Sequence, residues 1–223
     1  MTTPTAQPAP TPVHQLVTNY AHQRIGSWQR GFITDQSKAV AARARLSREA
    51  GKSITEVFDL WDLVDLDALQ GARRDARPLS EEELERAEEA LLMAFTLWAL
   101  HQQSRTTGAH QPDRTGSPRG LGAAVRRMMP AGEIDDALRK RLVRAGKASD
   151  LSTLARRLRD IVLLLRRDDV PLDYALLAGQ LYQWQWPGGT DAVRTAWGRS
   201  FHLWREKDGK ETQGQDAAEQ EPQ

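Results

Sequence analysis

The chain has 223 residues and a mass of 25.0 kDa, enough for one helical domain of moderate size or two small ones. It contains no cysteine, which excludes disulfides, Cys-ligated zinc and iron–sulfur clusters. Hydrophobic residues make up 39% of the chain and charged residues 27%, so we expect a folded core with solvated ends. No apolar run approaches the ~20 residues of a membrane span, and the first residues lack the pattern of a signal peptide. We therefore expect a cytoplasmic protein with no membrane contact.

The formal net charge of +1 conceals a strong separation of charge along the chain. Residues 24–52 hold seven basic and two acidic side chains, residues 53–100 hold four and 12, and residues 101–167 hold 15 and six. Arginine supplies 25 of the 31 basic residues. A GC-rich genome would also enrich arginine, so the clustering carries more information than the ratio of Arg to Lys. Because the guanidinium fork can bind two phosphate oxygens, the basic segments are candidate phosphate-binding surfaces.

Both ends of the chain are predicted to be disordered. Residues 1–12 are rich in Pro, Thr and Ala, residues 206–223 are polar and acidic, and neither segment can bury enough apolar surface to offset the entropy of ordering. Between them, apolar residues recur at spacings of three and four, with no alternating run. We therefore predict an all-α bundle of about eight to nine helices. It can be divided into two packed halves, 13–103 and 121–205, joined by a loop, 104–120.

In the N-terminal half, apolar spacing predicts three helices, at residues 13–26, 38–50 and 57–64. Ser37 is the expected N-cap of the second helix, and Gly51 lies just past its end. Ser80 and Glu83 have the spacing of a capping box, in which each side chain bonds the backbone of the other. A long fourth helix is therefore predicted to begin at this point.

Residues 104–120 hold turn formers without an apolar period, so we predict a mobile loop that acts as a hinge and becomes ordered only on a partner. Helices are predicted after it at 121–129, 134–143 and 150–167, then from Pro171 and from Thr190. The 150–167 helix has the clearest amphipathic pattern in the chain. Its apolar face carries Leu151, Leu154, Leu158, Ile161, Val162 and Leu165, and its opposite face carries Arg156, Arg159, Arg166 and Arg167.

No sequence motif indicates catalysis, a cofactor or a metal. The five histidines do not have metal-ligand spacing, and phosphate-loop, dinucleotide-binding and nucleophile-elbow patterns are absent from the sequence. Four aspartates recur near one another, but their spacing is typical of a solvated helix face: Asp59, Asp62, Asp65 and Asp67. We therefore expect a protein that is not an enzyme and that binds neither cofactor nor metal.

Of the seven tryptophans, four lie on apolar stripes and are predicted to be core residues: Trp61, Trp98, Trp197 and Trp204. Trp184 and Trp186 flank a turn and are the candidates for a surface contact. The basic faces have two open interpretations. They either bind phosphates without reading sequence, or they are solvated faces balanced by the acidic segment 53–100.

Several segments together resemble one family, CasB, the small subunit of the type I-E CRISPR surveillance complex Cascade. The run LARRLRDIVLLLRRDDVPLDYALLAGQLYQWQWPGGTDAVRTAWGRSFH is similar to that family's basic helix, Pro-Leu-Asp-Tyr helix start, Leu-Tyr-x-Trp turn and closing Val-Arg-x-x-Trp-x-x-x-Phe helix. Weaker similarity is found in AVAARARLSREAG, which has Ser47-Arg48-Glu49 where an arginine pair is commoner, and in RGLGAAVRRM. The resemblance covers residues 13–205.

The resemblance implies a noncatalytic subunit that stabilises the displaced DNA strand and the R-loop during crRNA-guided target recognition in antiviral defence. It implies as partners the other Cascade subunits with crRNA, single-stranded and double-stranded DNA, and a second copy of the chain in a dimer. The alternatives are a helical protein–protein adaptor without DNA contact and a sequence-specific regulator, although no helix-turn-helix is recognisable. Eight nucleic-acid contacts are carried over from the family, and the basic helix face adds the last two: Arg43, Arg45, Arg119, Arg126, Arg127, Arg139, Arg156, Arg159, Arg166 and Arg167.

Overall fold

The computed structural model describes residues 10–52, 56, 58–73, 77–114 and 117–218. Side chains are described for these residues except at 58, 59, 61 and 204–218. The ends that were predicted to be disordered, 1–12 and 206–223, include residues outside this description.

The described part of the chain forms nine α-helices and a 3-10 helix and contains no strand. The helices are α1 (Val13–Ile33), α2 (Ser37–Arg48), the 3-10 helix (Phe58–Leu63), α3 (Leu66–Gly71), α4 (Glu81–Gln102), α5 (Leu121–Arg127), α6 (Asp136–Gly146), α7 (Leu151–Arg167), α8 (Tyr174–Trp184) and α9 (Gly189–Ala218). The predicted all-α bundle is therefore confirmed.

Side-chain caps fix the starts of α4 and α7. The predicted capping box is present, because Ser80 Oγ accepts from the Glu83 N–H at 3.2 Å and Glu83 Oε2 accepts from the Ser80 N–H at 2.9 Å. Asp150 caps α7 by accepting from the Thr153 N–H at 2.7 Å. These local bonds explain why helix starts could be predicted from the sequence alone.

Several predicted helix boundaries are wrong; the helix predicted at 134–143, for example, lies at Asp136–Gly146. Helix α1 continues beyond Gly26 to Ile33, because Ile25 and Trp28 extend its buried stripe. Ser37 is the first residue of α2 rather than its N-cap, a position that Gln36 takes without a side-chain bond. Helix α8 begins at Tyr174 rather than at Pro171, because the carboxylate of the preceding Asp173 accepts from the first backbone N–H groups of the helix.

Helix α4 forms the centre of the bundle. Every residue from 90 to 102 is buried, including Leu91, Phe95 and Trp98, because α1, α2, α7 and α8 pack around this part of the helix. Burial of each large apolar side chain contributes roughly 1.5–3 kcal/mol. Helices α2 and α7 therefore both pack on α4, and their outer faces are turned away from it.

Two glycines allow helices to approach each other closely. A Cβ at Gly122 of α5 would collide with the backbone carbonyl of Trp197 in α9. A Cβ at Gly179 of α8 would collide with Thr18 of α1. Larger side chains at either position would therefore separate neighbouring helices.

The described part of the segment 104–120, predicted as a mobile hinge, is tied to the helices by hydrogen bonds. Three side chains hold its backbone: Gln102 Oε1 accepts from the Ala109 N–H at 2.8 Å, Gln29 Oε1 from the His110 N–H at 2.8 Å, and Asp173 Oδ2 from the Asp113 N–H at 2.7 Å. The backbone of Leu172 adds a short parallel bridge to the loop. These acceptors come from both sides of the loop in sequence, so it joins the helices rather than separating them.

Contacts also cross the predicted division between the two halves. Helix α1 packs against α8, and α4 packs against both α7 and α8. The division into residues 13–103 and 121–205 remains a prediction. None of the helices in the described residues is long and apolar enough to cross a lipid bilayer.

Candidate nucleic-acid interface

Three of the predicted arginines come from α2 and α7, which both pack on α4. The two helices approach each other where the stem of Arg159 meets Gly51 and where Arg43 lies near Arg166. We call Arg43, Arg159 and Arg166 the α2–α7 strip. Arg43 comes from α2, and the other two come from α7. No carboxylate lies within 4 Å of these guanidinium groups among the described residues.

Arg43 and Arg166 repel each other across the strip. The pKa of Arg43 lies below its ordinary value, first because the side chain is partly buried and second because Arg166 is nearby. The guanidinium of Arg43 stacks 5.2 Å from the ring centroid of Phe32, which fixes its position. An anion between the two arginines would relieve this repulsion, since it would screen both charges.

Arg159 is exposed, and its aliphatic stem lies over Gly51 at the end of the α2 region. Gly51 has a φ of +88°, a left-handed conformation that favours glycine. A Cβ there would lie 2.6 Å from Arg159 Cδ, so only glycine leaves room for the stem. Gly51, which the sequence suggested only as a helix terminator, therefore also positions Arg159.

Arg156 lies one turn earlier on the exposed face of α7. Its guanidinium donates to Ser152 Oγ at 2.9 Å and to Thr153 Oγ1 at 3.2 Å. These partners are neutral hydroxyls that orient the side chain, and the carboxylate of Asp150, whose pKa is lowered chiefly by hydrogen bonds and in part by Arg156, compensates some of its charge. Arg156 extends the exposed basic face of α7 towards the start of the helix.

Three of the other predicted contacts have a carboxylate partner. The pairs, at N···O distances of 2.7–2.8 Å, are Arg45 with Asp62, Arg139 with Asp136 and Arg167 with Asp168. All three arginine side chains are at least 41% exposed, so the pairs are solvated and weak. A phosphate could therefore displace the carboxylate in each pair.

Arg126 does not fit the prediction that it contacts phosphate. Its side chain is fully buried, and Nη1 donates to the backbone carbonyl of Pro130 at 3.1 Å. It therefore stabilises the turn after α5 and cannot reach a ligand at the surface. Arg127 and Arg119 are half-buried near this turn and in the preceding loop, where Arg127 Nη2 donates to Ser117 Oγ at 3.4 Å.

Helix α6 carries a second basic surface, from which only Arg139 was predicted as a nucleic-acid contact. Its apolar side, including Leu142 and Ala145, is buried. The backbone carbonyls of Arg144 and Gly146 accept bonds from Arg157 and Arg194, which attach the helix to α7 and α9. The amphipathic spacing of α6 could have revealed its exposed basic side chains, which we call the α6 surface: Arg139, Lys140, Arg141, Arg144 and Lys147.

The aromatic predictions have mixed outcomes. Trp98 and Trp197 are core residues, as predicted. The prediction of a surface contact is wrong for Trp184, which is 6% exposed and stacks on Trp197 at 5.7 Å, and Trp186 is partly buried under Arg86. The side chains of the other two predicted core residues, Trp61 and Trp204, lie outside the described residues.

Two buried histidines take part in the packing of the core. His101 Nδ1 lies 2.8 Å from the hydroxyl of Tyr174, and burial, followed by the nearby arginines, lowers the pKa of His101 to about 3. Burial likewise lowers the pKa of His110 to about 4. Within the described residues, no group of three or more His, Asp or Glu side chains could hold a metal ion.

The family model of the CRISPR-associated protein Cse2 matches residues 42–202. This chain belongs to the Cse2 family. It is 49% identical to CasB from Thermobifida fusca over 84% of this chain and 98% of that chain, with a TM-score of 0.73. The resemblance to CasB predicted from the sequence is confirmed.

A second solved structure, described as a CRISPR RNA-guided surveillance complex, contains a chain that is 19% identical and has the same fold. The match covers 90% of this chain and 99% of that chain, with a TM-score of 0.62. No curated protein matches the sequence. The Cse2-family region begins inside α2 and ends inside α9, so it contains all ten predicted arginines together with the α6 surface.

Proposed function

We propose that this Cse2-family chain is the noncatalytic small subunit of a type I-E Cascade complex. In this function it binds nucleic acid without sequence specificity and stabilises the displaced DNA strand and the R-loop during crRNA-guided target recognition in antiviral defence. The observation that carries the proposal is the α2–α7 strip. Arginines from two helices come together there, and no carboxylate of the described residues lies within 4 Å of their guanidinium groups.

The physical requirements of such a subunit match this surface. In an RNA-guided complex, base pairing reads the sequence, so a protein that holds the displaced strand needs only a positive groove that follows the backbone. Arginines that neutralise phosphates release counterions, which gives affinity without base contacts. The exposed positions of Arg156 and Arg159 and the crowding of Arg43 and Arg166 support binding of this kind.

The family supports the same partners. Likeness to CasB and to a chain of a surveillance complex favours assembly with other Cascade subunits and crRNA. Contacts with single-stranded and double-stranded DNA, association with a second copy in a dimer and a cytoplasmic location are parts of this proposal. The alternative is a helical adaptor whose basic faces meet acidic proteins.

Charge reversal of Arg156 and Arg159 tests DNA binding directly. The double variant Arg156→Glu/Arg159→Glu should bind single-stranded DNA at least tenfold more weakly, because a charge-assisted bond contributes about 1.5–3 kcal/mol. In a plot of log K against log salt concentration, the slope for this variant should be shallower by about 1.4, which is about 0.7 for each lost phosphate contact. The matched control is Arg199→Glu, which reverses an exposed charge on α9. Fluorescence anisotropy over a salt series measures both quantities.

The result also separates the alternatives. A regulator would retain a preference for one sequence, whereas the proposed subunit should lose affinity for all sequences equally. If the wild-type chain has no affinity for DNA at low salt, the adaptor replaces the proposal. In a reconstituted complex, permanganate footprinting should show greater exposure of the displaced strand when this chain is left out.

A further inference from the structure

A cleft of 320 Å³ lies where α4 and α7 both end. We call it the α4–α7 cleft, lined by the turn 103–107 and by Arg166, Arg167 and Asp169. Ser104 and Asp169, with φ values of +63° and +58°, reverse the chain on its two sides. Its volume lies at the lower end of the range for small-ligand sites.

The walls of the cleft carry three guanidinium groups and one carboxylate. The Arg105 side chain is only 7% exposed, and its Nη1 lies 2.8 Å from Asp169 Oδ1. Its Nη2 donates to Thr107 Oγ1 at 3.3 Å. This network fixes Arg105 and uses the carboxylate of Asp169, so the charges of the other two arginines are not balanced from within the cleft.

Arg166 has neutral partners. Its Nη1 donates to Gln103 Oε1 at 3.0 Å and to the Leu100 carbonyl at 3.4 Å, and no carboxylate lies within 4 Å of it in the described part of the chain. The charge of Arg166 affects two neighbouring groups. The pKa of Arg43 is lowered first by burial and then by Arg166, and the pKa of His101 is lowered first by burial and then by Arg105 and Arg166.

Arg167 is the third arginine of the cleft and lies at its rim. Its side chain is 69% exposed and pairs with the adjacent Asp168 at 2.7 Å, an exposed pair that a stronger anion could replace. The hydroxyl side chains of Ser104 and Thr106 also line the cleft. Guanidinium forks and hydroxyl donors are the groups that bind phosphate oxygens.

We propose that the α4–α7 cleft binds one phosphate of a single-stranded polynucleotide backbone, with Arg166 and Arg167 as the principal donors. This inference rests on the proposed function and adds to it a discrete site. The choice of a polynucleotide follows from continuity, because Arg166 belongs both to the cleft and to the α2–α7 strip. A backbone that follows the strip would place a phosphate in the cleft.

Two variants test the cleft without changing the exposed face at Arg156 and Arg159. Thr106→Glu places a carboxylate in the cleft from an exposed position, and Arg166→Gln removes a charge. Each should weaken binding of a dT oligonucleotide about tenfold, and Arg166→Gln should make the salt slope shallower by about 0.7. The control Thr195→Glu makes the same change on an exposed part of α9. Thermal melts verify that each variant is folded.

A second readout locates the site. Titration of the isotopically labelled chain with inorganic phosphate, followed by amide NMR shifts, should perturb residues 103–107 and 166–169, and Thr106→Glu should abolish these shifts. If Thr106→Glu binds DNA like the wild type while Arg156→Glu/Arg159→Glu does not, the cleft inference is wrong and the proposed function stands. If phosphate shifts the cleft but no chain binds DNA, the polynucleotide assignment is overturned together with the proposed function. An acidic peptide that competes for the cleft better than DNA would also overturn it.

Discussion

Substitution of Gly51 tests whether the backbone near α2 positions Arg159. Gly51 has a φ of +88°, and a Cβ there would lie 2.6 Å from Arg159 Cδ. A left-handed alanine costs about 1–2 kcal/mol, so Gly51→Ala should lower the free energy of unfolding by that amount. The long side chain of Arg159 can swing away, and its displacement should weaken binding of single-stranded DNA between about twofold and tenfold.

A double-mutant cycle separates these two effects. Urea unfolding measures stability, and anisotropy measures affinity for DNA. In an Arg159→Ala background, Gly51→Ala should still destabilise the fold but should leave DNA affinity unchanged. Gly71→Ala is the control, because a Cβ there meets nothing within 4 Å and φ is not left-handed. Additive losses of affinity for Gly51→Ala and Arg159→Ala would refute the idea that Gly51 acts through Arg159.

Three further variants test electrostatics elsewhere. Glu83→Gln should destabilise the fold at pH 7 by up to about 1 kcal/mol, because Glu83 accepts two bonds from Arg77, whose side chain is largely exposed. The bonds lower the Glu83 pKa from 4.5 to about 2, so the difference from wild type in urea unfolding should shrink as pH falls from 4.5 towards 2. The pKa of His101 is lowered from 6.5 to about 3, chiefly by burial, so only the unfolded chain gains a proton there as pH falls below 6.5. The free energy of unfolding should therefore decrease as pH falls from 6.5 towards 3, and His101→Gln should remove this part of the pH dependence. Asp62→Asn removes the charge of a carboxylate that pairs with Arg45 and should tighten DNA binding in anisotropy, whereas unchanged affinity would place Arg45 outside the interface.

The sequence predicted features that depend on local spacing. The apolar stripe of α7 is buried at Leu154, Leu158 and Leu165, because a helix with that period must turn one face to the core. The capping box at Ser80 was predictable for the same reason, since its bonds join residues within one turn.

Features that depend on distant residues were not predictable. The loop 104–120 has no apolar period of its own, and its described residues are held by Gln29, Gln102 and Asp173, whose bonds to the loop follow from no local spacing in the sequence. Arg126 has the same local pattern as Arg127, but tertiary packing buries the first completely and leaves the second half-buried. Sequence clustering can therefore identify a basic segment, but it cannot show which of its arginines reach solvent.

The described acidic side chains of segment 53–100 favour one of the two interpretations of the basic faces. If the carboxylates of this segment balanced the basic helices, they would pair with the arginines of α2 and α7. Arg45 of α2 pairs with Asp62 in this way, but Arg45 is not part of the α2–α7 strip. The acidic segment also uses carboxylates internally, where Glu83 and Glu82 pair with Arg77 and Arg86. In the described part of the chain, no carboxylate of this segment lies within 4 Å of the strip. The charge of the strip is therefore available to an external anion, and a phosphate backbone supplies such anions at regular spacing.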